Sequence, residues 1–204
     1  MTQARHIPWF GLSLAVVTIA LAVATNIDHA LHSQLQHHFA LDWDAIEDLE
    51  FYRIALSPFV QTSPGFSPTV LGLTALAVPV FEAFAGTRRA VITFFLGDWL
   101  STLPILLILQ VAGWLGSTTA GRLSSAPDSG SSSGGFACMA AFCCSLPAPW
   151  RFTGLGALAG FFAVRIAFWH RLFDFQHAAA ALIGAILWFV LEARGRARRA
   201  ALGC

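Results

Sequence analysis

The chain contains no lysine, and all twelve of its cations are arginine. Charge of either sign is scarce, at 11% of 204 residues against 56% hydrophobic. Soluble domains carry about 25% charged residues, so most of this chain never meets water. The arginines form no basic stripe with interleaved aromatics, which argues against a nucleic-acid partner. Cysteine is limited to Cys138, Cys143, Cys144 and Cys204. These show no CxxC metal spacing and no secreted disulfide framework. Three of them lie in an apolar run, where packing as small residues is their expected role. No repeat period runs along the chain.

What is present is a series of apolar runs. The first, Ile7 to Thr25, follows Arg5. A signal peptide is the rival reading, because Ala22-Val23-Ala24 mimics a cleavage site; the length of the run and the spans after it favour a retained helix. Residues 26–67 form a mixed loop carrying Asp28, Asp42, Asp44, Glu47, Asp48 and Glu50 against Arg53. Its aromatics (Trp43, Phe51, Tyr52, Phe59) predict an element lying at the membrane interface. Further spans are expected over Pro68–Ala85, Ala90–Trp114, Ser129–Leu146, Phe152–Trp169 and Asp174–Glu192. Pro104 is expected to kink the third. Six spans of about 20 residues would fit one bundle. With six, Arg5, Arg88, Arg89, Arg151 and the tail arginines 194, 196, 198 and 199 fall on one face, eight of the twelve. The positive-inside rule makes that face, the basic tail (about 193–204) and both termini cytoplasmic. The expected architecture is therefore an all-α, multi-pass membrane bundle forming a single domain over 1–204.

Two segments carry polar groups into the membrane from the outer face. One is Asp128-Ser129-Gly130-Ser131-Ser132-Ser133-Gly134-Gly135-Phe136, the other Asp174-Phe175-Gln176-His177. Ser132 and His177 each lie about one turn into their spans, so they sit at one depth. A serine hydroxyl is a poor nucleophile until a base within hydrogen-bond reach takes its proton. Gly130, Gly134, Gly135 and Ala137 on one helix, and Ala180 and Gly184 on the other, are small enough to let the backbones approach. An ionisable group inside a span is itself a functional suspect. The blander reading of each residue stands beside this one. Asp128 and Asp174 are expected N-caps, the Ser-Gly run suits a flexible loop, and a lone histidine can bond a carbonyl. GxSxG in a Ser/Gly-rich stretch is a weak motif by itself.

The order of several short motifs resembles the rhomboid intramembrane proteases, especially a bacterial branch carrying Asp-x-Gly-x-Ser-x-Gly. Phe51-Tyr52-Arg53 followed by Ser57-Pro58-Phe59 is similar to the family's first loop. Glu82 and Gly86 match the Glu-x-x-x-Gly that ends its second helix. Gly130-x-Ser132 matches the nucleophile motif, Phe136 the aromatic on which the family's histidine packs, and Asp174-x-x-His177 with Gly184 the sixth helix. The resemblance spans about residues 50 to 192. It implies a six-helix bundle in a bacterial plasma membrane and a Ser132–His177 dyad, with Gly130 and Phe136 in support. No metal or organic cofactor is implied. The implied partners are the lipid bilayer and transmembrane protein substrates, or clients that are bound without cleavage.

One departure bears on activity. Active rhomboids carry His-x-x-x-Asn in the second helix, helping to hold the oxyanion. Counted back from Glu82, those places fall at Phe66 and Val70, or at Ser67 and Leu71 one residue on. The Ser132 N–H, with Gln61 or Thr69, is left to replace them. Among other groups, His29, His32, His37 and His38 suit a solvated face better than zinc, since no coherent fourth ligand is visible. Asp98 in the third span suits a proton relay, the mark of a transporter, or a bond to Ser101 or a neighbouring helix. Glu82 is expected to pair with Arg88 or Arg89, and Arg165 to snorkel to the outer interface.

Overall fold

In a computed structural model, residues 7–63, 67, 70, 72–169 and 172–201 are described, and they are predominantly helical, with no strand among them. Four helices are long and apolar enough to cross a membrane: α1 (Trp9–Ile27), α6 (Thr87–Trp114), α9 (Ala148–Trp169) and α10 (Leu172–Ala201). Two further apolar helices are shorter, α5 (Leu73–Ala85) and α8 (Ser132–Ser145). At 14 residues, α8 is about 21 Å long against a hydrocarbon core of about 30 Å. The expected fourth span, Ser129–Leu146, is thus cut back at its N-terminal end. The cause is local. Gly130 adopts φ +122°, its N–H donates to the Ser57 carbonyl at 3.0 Å, and Leu41 and Asp128 exchange backbone bonds at 2.8 Å. Residues 128–130 are held extended by partners far away in sequence, so the helix starts late.

α8 is the centre of the molecule. Nine of the twelve residues from Ser133 to Cys144 are buried, and α5, α6, α9 and α10 pack around it. Small residues set the spacing, as expected where lipid offers no hydrophobic drive for helix association. A Cβ on Gly184 of α10 would lie 2.1 Å from the Ala137 carbonyl oxygen, and one on Gly97 of α6 would lie 2.2 Å from the Ala137 Cβ. Three helices therefore meet at Ala137. Cys138 and Cys144 are fully buried in the same helix.

The ends of the helices are tied by polar groups. Glu82, fully buried, accepts from the Phe10 and Gly11 N–H groups at 3.1 and 2.6 Å and from Thr87 Oγ1 at 2.7 Å. It caps the start of α1, where a carboxylate is favoured, and does not pair with Arg88 or Arg89. Arg89 instead meets Glu192 at 3.2 Å. Pro104 lies inside α6.

The first loop folds over the end of the bundle where α8 begins as α2 (His29–Phe39), α3 (Trp43–Glu47) and α4 (Tyr52–Leu56). Asp28 and Asp42 cap the first two. Trp99 Nε1 donates to the Ile54 carbonyl at 2.9 Å, anchoring α4 to α6. Gln36 Nε2 reaches Ser129 Oγ at 2.9 Å, and Thr62 Oγ1 reaches the Ser129 carbonyl at 2.6 Å. The remaining short helix, α7 (Thr118–Ser124), lies between α6 and the Ser-Gly segment.

Candidate active site

The extended segment 128–130 delivers Ser132 as the first residue of α8. Gly130 is required there by conformation, since φ +122° lies where side-chain-bearing residues are strained, while the space around it is open to 3.8 Å. Ser132 Oγ lies 2.8 Å from His177 Nε2. The close crossing of α8 and α10 at Ala137 and Gly184 brings them together, and His177 sits two turns above it on α10. The imidazole meets two rings, Phe136 at 5.0 Å and Phe173 at 5.9 Å between centroids. Phe136 rests in turn on Phe162 at 4.9 Å. Of three consecutive serines, Ser131 and Ser133 are buried, at 0% and 2% exposure. Ser132 is the one that meets the histidine.

A cavity of about 400 Å³ opens beside the pair, lined among others by Ser132, His177, Asp98, Thr102, Asp128 and Gln176. A polar chain crosses it. Gln176 Nε2 donates to Thr102 Oγ1 at 2.6 Å and to Asp128 Oδ2 at 2.9 Å. Burial pushes the Asp128 carboxyl up from its ordinary value, opposed by the bonds from Gln176 and the Ser129 backbone. Asp128 is therefore no N-cap: α8 begins four residues later, and no side chain caps it. Asp174 is not one either. It lies inside the first turn of α10, fully buried, and its Oδ1 accepts from Arg165 Nε at 2.5 Å. Besides this pair Arg165 stands 5.6 Å from the Phe161 ring. Asp98 is 5% exposed, and Ser101 Oγ bonds its backbone carbonyl rather than its carboxylate.

One hydrogen-bond donor adjoins the serine and a second group lies across Gly130 from it. The first-turn N–H groups of a helix have no intrahelical acceptor, and Ser132 stands at that position. Gln61 is 8% exposed, and its Nε2 is buried without a hydrogen-bond partner. A Cβ placed on Gly130 would lie 3.9 Å from both Gln61 Oε1 and Ser132 Oγ, so the carboxamide is close by. Of the second-helix positions, Ser67 Oγ accepts from the Val70 N–H at 3.5 Å. Phe66, Thr69 and Leu71 lie outside the described residues.

No family model, curated protein or solved structure matches the chain.

Sequence reasoning missed Thr102, Gln176 and Phe173. The one available signal was the placement of Asp98 and Thr102 four residues apart, on one face of a span. For the loop histidines, no group of three or more metal-ligating side chains comes together among the described residues.

Proposed function

We propose that the chain is an intramembrane serine endopeptidase of the rhomboid type, a six-helix bundle in which α5 and α8 are the short spans. The 2.8 Å approach of Ser132 Oγ to His177 Nε2 carries the reading. In that geometry the Nε2 lone pair accepts the hydroxyl proton as Oγ attacks a peptide carbonyl. The imidazolium then protonates the leaving amine, and water later hydrolyses the acyl-enzyme by the same relay. Phe136 and Phe173 fix the ring so that Nε2 stays aimed at the hydroxyl. The Ser132 N–H and Gln61 Nε2 are the donors available to a developing oxyanion. A substrate from the membrane suits an apolar groove of about 600 Å³ between α5 and α9, which reaches Phe136. Asp98 and Asp128 keep the other side of the pair polar, where water must enter.

A fluorophosphonate probe tests the reading. It labels the wild type, fails with Ser132→Ala and His177→Ala, and still labels Ser131→Ala. Labelling that survives Ser132→Ala rejects the assignment.

A second reading is favoured by Phe66 and Val70, which stand where active relatives would carry histidine and asparagine. Loss of one oxyanion donor costs about 10²–10³ in rate. The chain would then bind or escort membrane helices without cutting them. Partners that co-purify intact and in equal amount with wild type and Ser132→Ala would favour it.

A further inference from the structure

A second cavity, remote from the serine, lies between α6 and α10 near the end where Arg89 meets Glu192. The two helices run antiparallel, so the start of α6 and the end of α10 share one face of the molecule. Along α6, Arg88, Phe95 and Trp99 fall on one stripe, spaced seven and four residues apart, and Leu187 and Arg194 lie seven apart on α10. These side chains, with Arg89, line a groove of about 690 Å³ whose walls are otherwise apolar. From Arg88 to Trp99 it runs about 16 Å, the depth of one leaflet of a core about 30 Å thick.

The mouth of this groove is cationic without compensation. Arg89 is occupied by Glu192 at 3.2 Å and by the Trp188 ring at 5.6 Å. Arg88 and Arg194 are exposed, and neither has an acidic partner among the described residues. The other nearby carboxylate, Glu82, is spent on Phe10, Gly11 and Thr87. The positive end of the α6 dipole points to the same mouth. Guanidinium groups bind phosphate oxygens in pairs of parallel hydrogen bonds. Basic pockets between spans on the cytoplasmic side hold acidic lipid headgroups.

We propose that this groove binds an anionic phospholipid of the cytoplasmic leaflet. Its phosphate sits between Arg88 and Arg194, and one acyl chain lies along Phe95 and Trp99. The excess positive charge selects a lipid whose phosphate is not neutralised by its own headgroup. The site is independent of the protease reading and stands or falls separately.

Native mass spectrometry of the full chain released from detergent tests it, with phosphatidylglycerol and phosphatidylcholine of identical acyl chains as probes. The wild type retains phosphatidylglycerol in preference. The Arg88→Gln/Arg194→Gln double variant binds it about thirty-fold more weakly, from the loss of two basic contacts. Arg151→Gln, which removes a cation from the same face but outside the groove, retains it. Equal retention of the two lipids, or phosphatidylglycerol binding unchanged in the double variant, overturns the proposal. So does a thermal shift with glycerol 3-phosphate as large as that with the lipid, since the groove would then contribute nothing.

Discussion

Replacing Gly184 by alanine tests whether the Ser132–His177 geometry depends on the helix crossing beneath it. The added methyl would lie 2.1 Å from the Ala137 carbonyl oxygen and 2.6 Å from its carbonyl carbon and Cα. All three are backbone atoms, so no side chain can swing away. Ordinary contact between such atoms begins at about 3.5 Å, so α8 and α10 must part by roughly an ångström. Overpacking of this kind costs about 1–3 kcal/mol of stability. The same displacement carries the 2.8 Å Oγ–Nε2 contact beyond hydrogen-bond reach. A shift of about 1 Å at the reacting atoms costs on the order of 10²-fold in rate. The assay is the rate of fluorophosphonate labelling in proteoliposomes, with the thermal midpoint read on the same samples. Gly156→Ala and Gly160→Ala are the controls, because nothing lies within 4 Å of the added methyl at either position. They should label at the wild-type rate and gain about 0.5–1 kcal/mol from reduced chain entropy. Gly184→Ala that stays folded and labels as fast as the wild type would refute the dependence of the dyad on this crossing.

Two more outcomes follow from the site. Gly130→Ala forces a side chain into φ +122°, at a cost of about 1–3 kcal/mol, and should cut labelling by more than tenfold while Gly116→Ala, in an open turn, does not. Asp128→Asn should stabilise the protein at neutral pH. Because burial raises the Asp128 carboxyl, the folded state holds its proton to higher pH than the unfolded chain. Stability is then full below the unfolded value, about 3.9, and declines as pH rises through the folded one. Thermal midpoints from pH 4 to 8 should show the variant gaining on the wild type as pH rises, and a constant offset would count against this.

The sequence made the depth of Ser132 and His177 legible because helical rise is fixed. Once two spans enter from one face, position in the span gives height. The small residues around Ala137, and Phe136 one turn beyond the serine, were legible for the same reason. The start of α8 was not. It depends on bonds from Gly130 to Ser57 and from Asp128 to Leu41, which join segments that no local pattern connects. Hence the 14-residue α8 was read as a full span. Glu82 was assigned to the nearest arginines in sequence, but its partners are amides of α1, more than seventy residues away. Asp128 and Asp174 looked like caps because an acidic residue before an apolar run usually is one. Their actual partners, Gln176 and Arg165, lie on other elements.

That late start also fixes what the neighbourhood can tolerate. Each residue added to or removed from a helix end turns everything beyond it by about 100°. One extra residue between Gly130 and Ser132 would have to be taken up by the loop, because Ser132 is the first residue of α8 and that helix is locked against Gly97 and Gly184. Residues 129–131 therefore join a loop pinned by Leu41 and Ser57 to a helix pinned from within. Length, together with a glycine at 130 where φ is +122°, is what variation in this stretch must preserve.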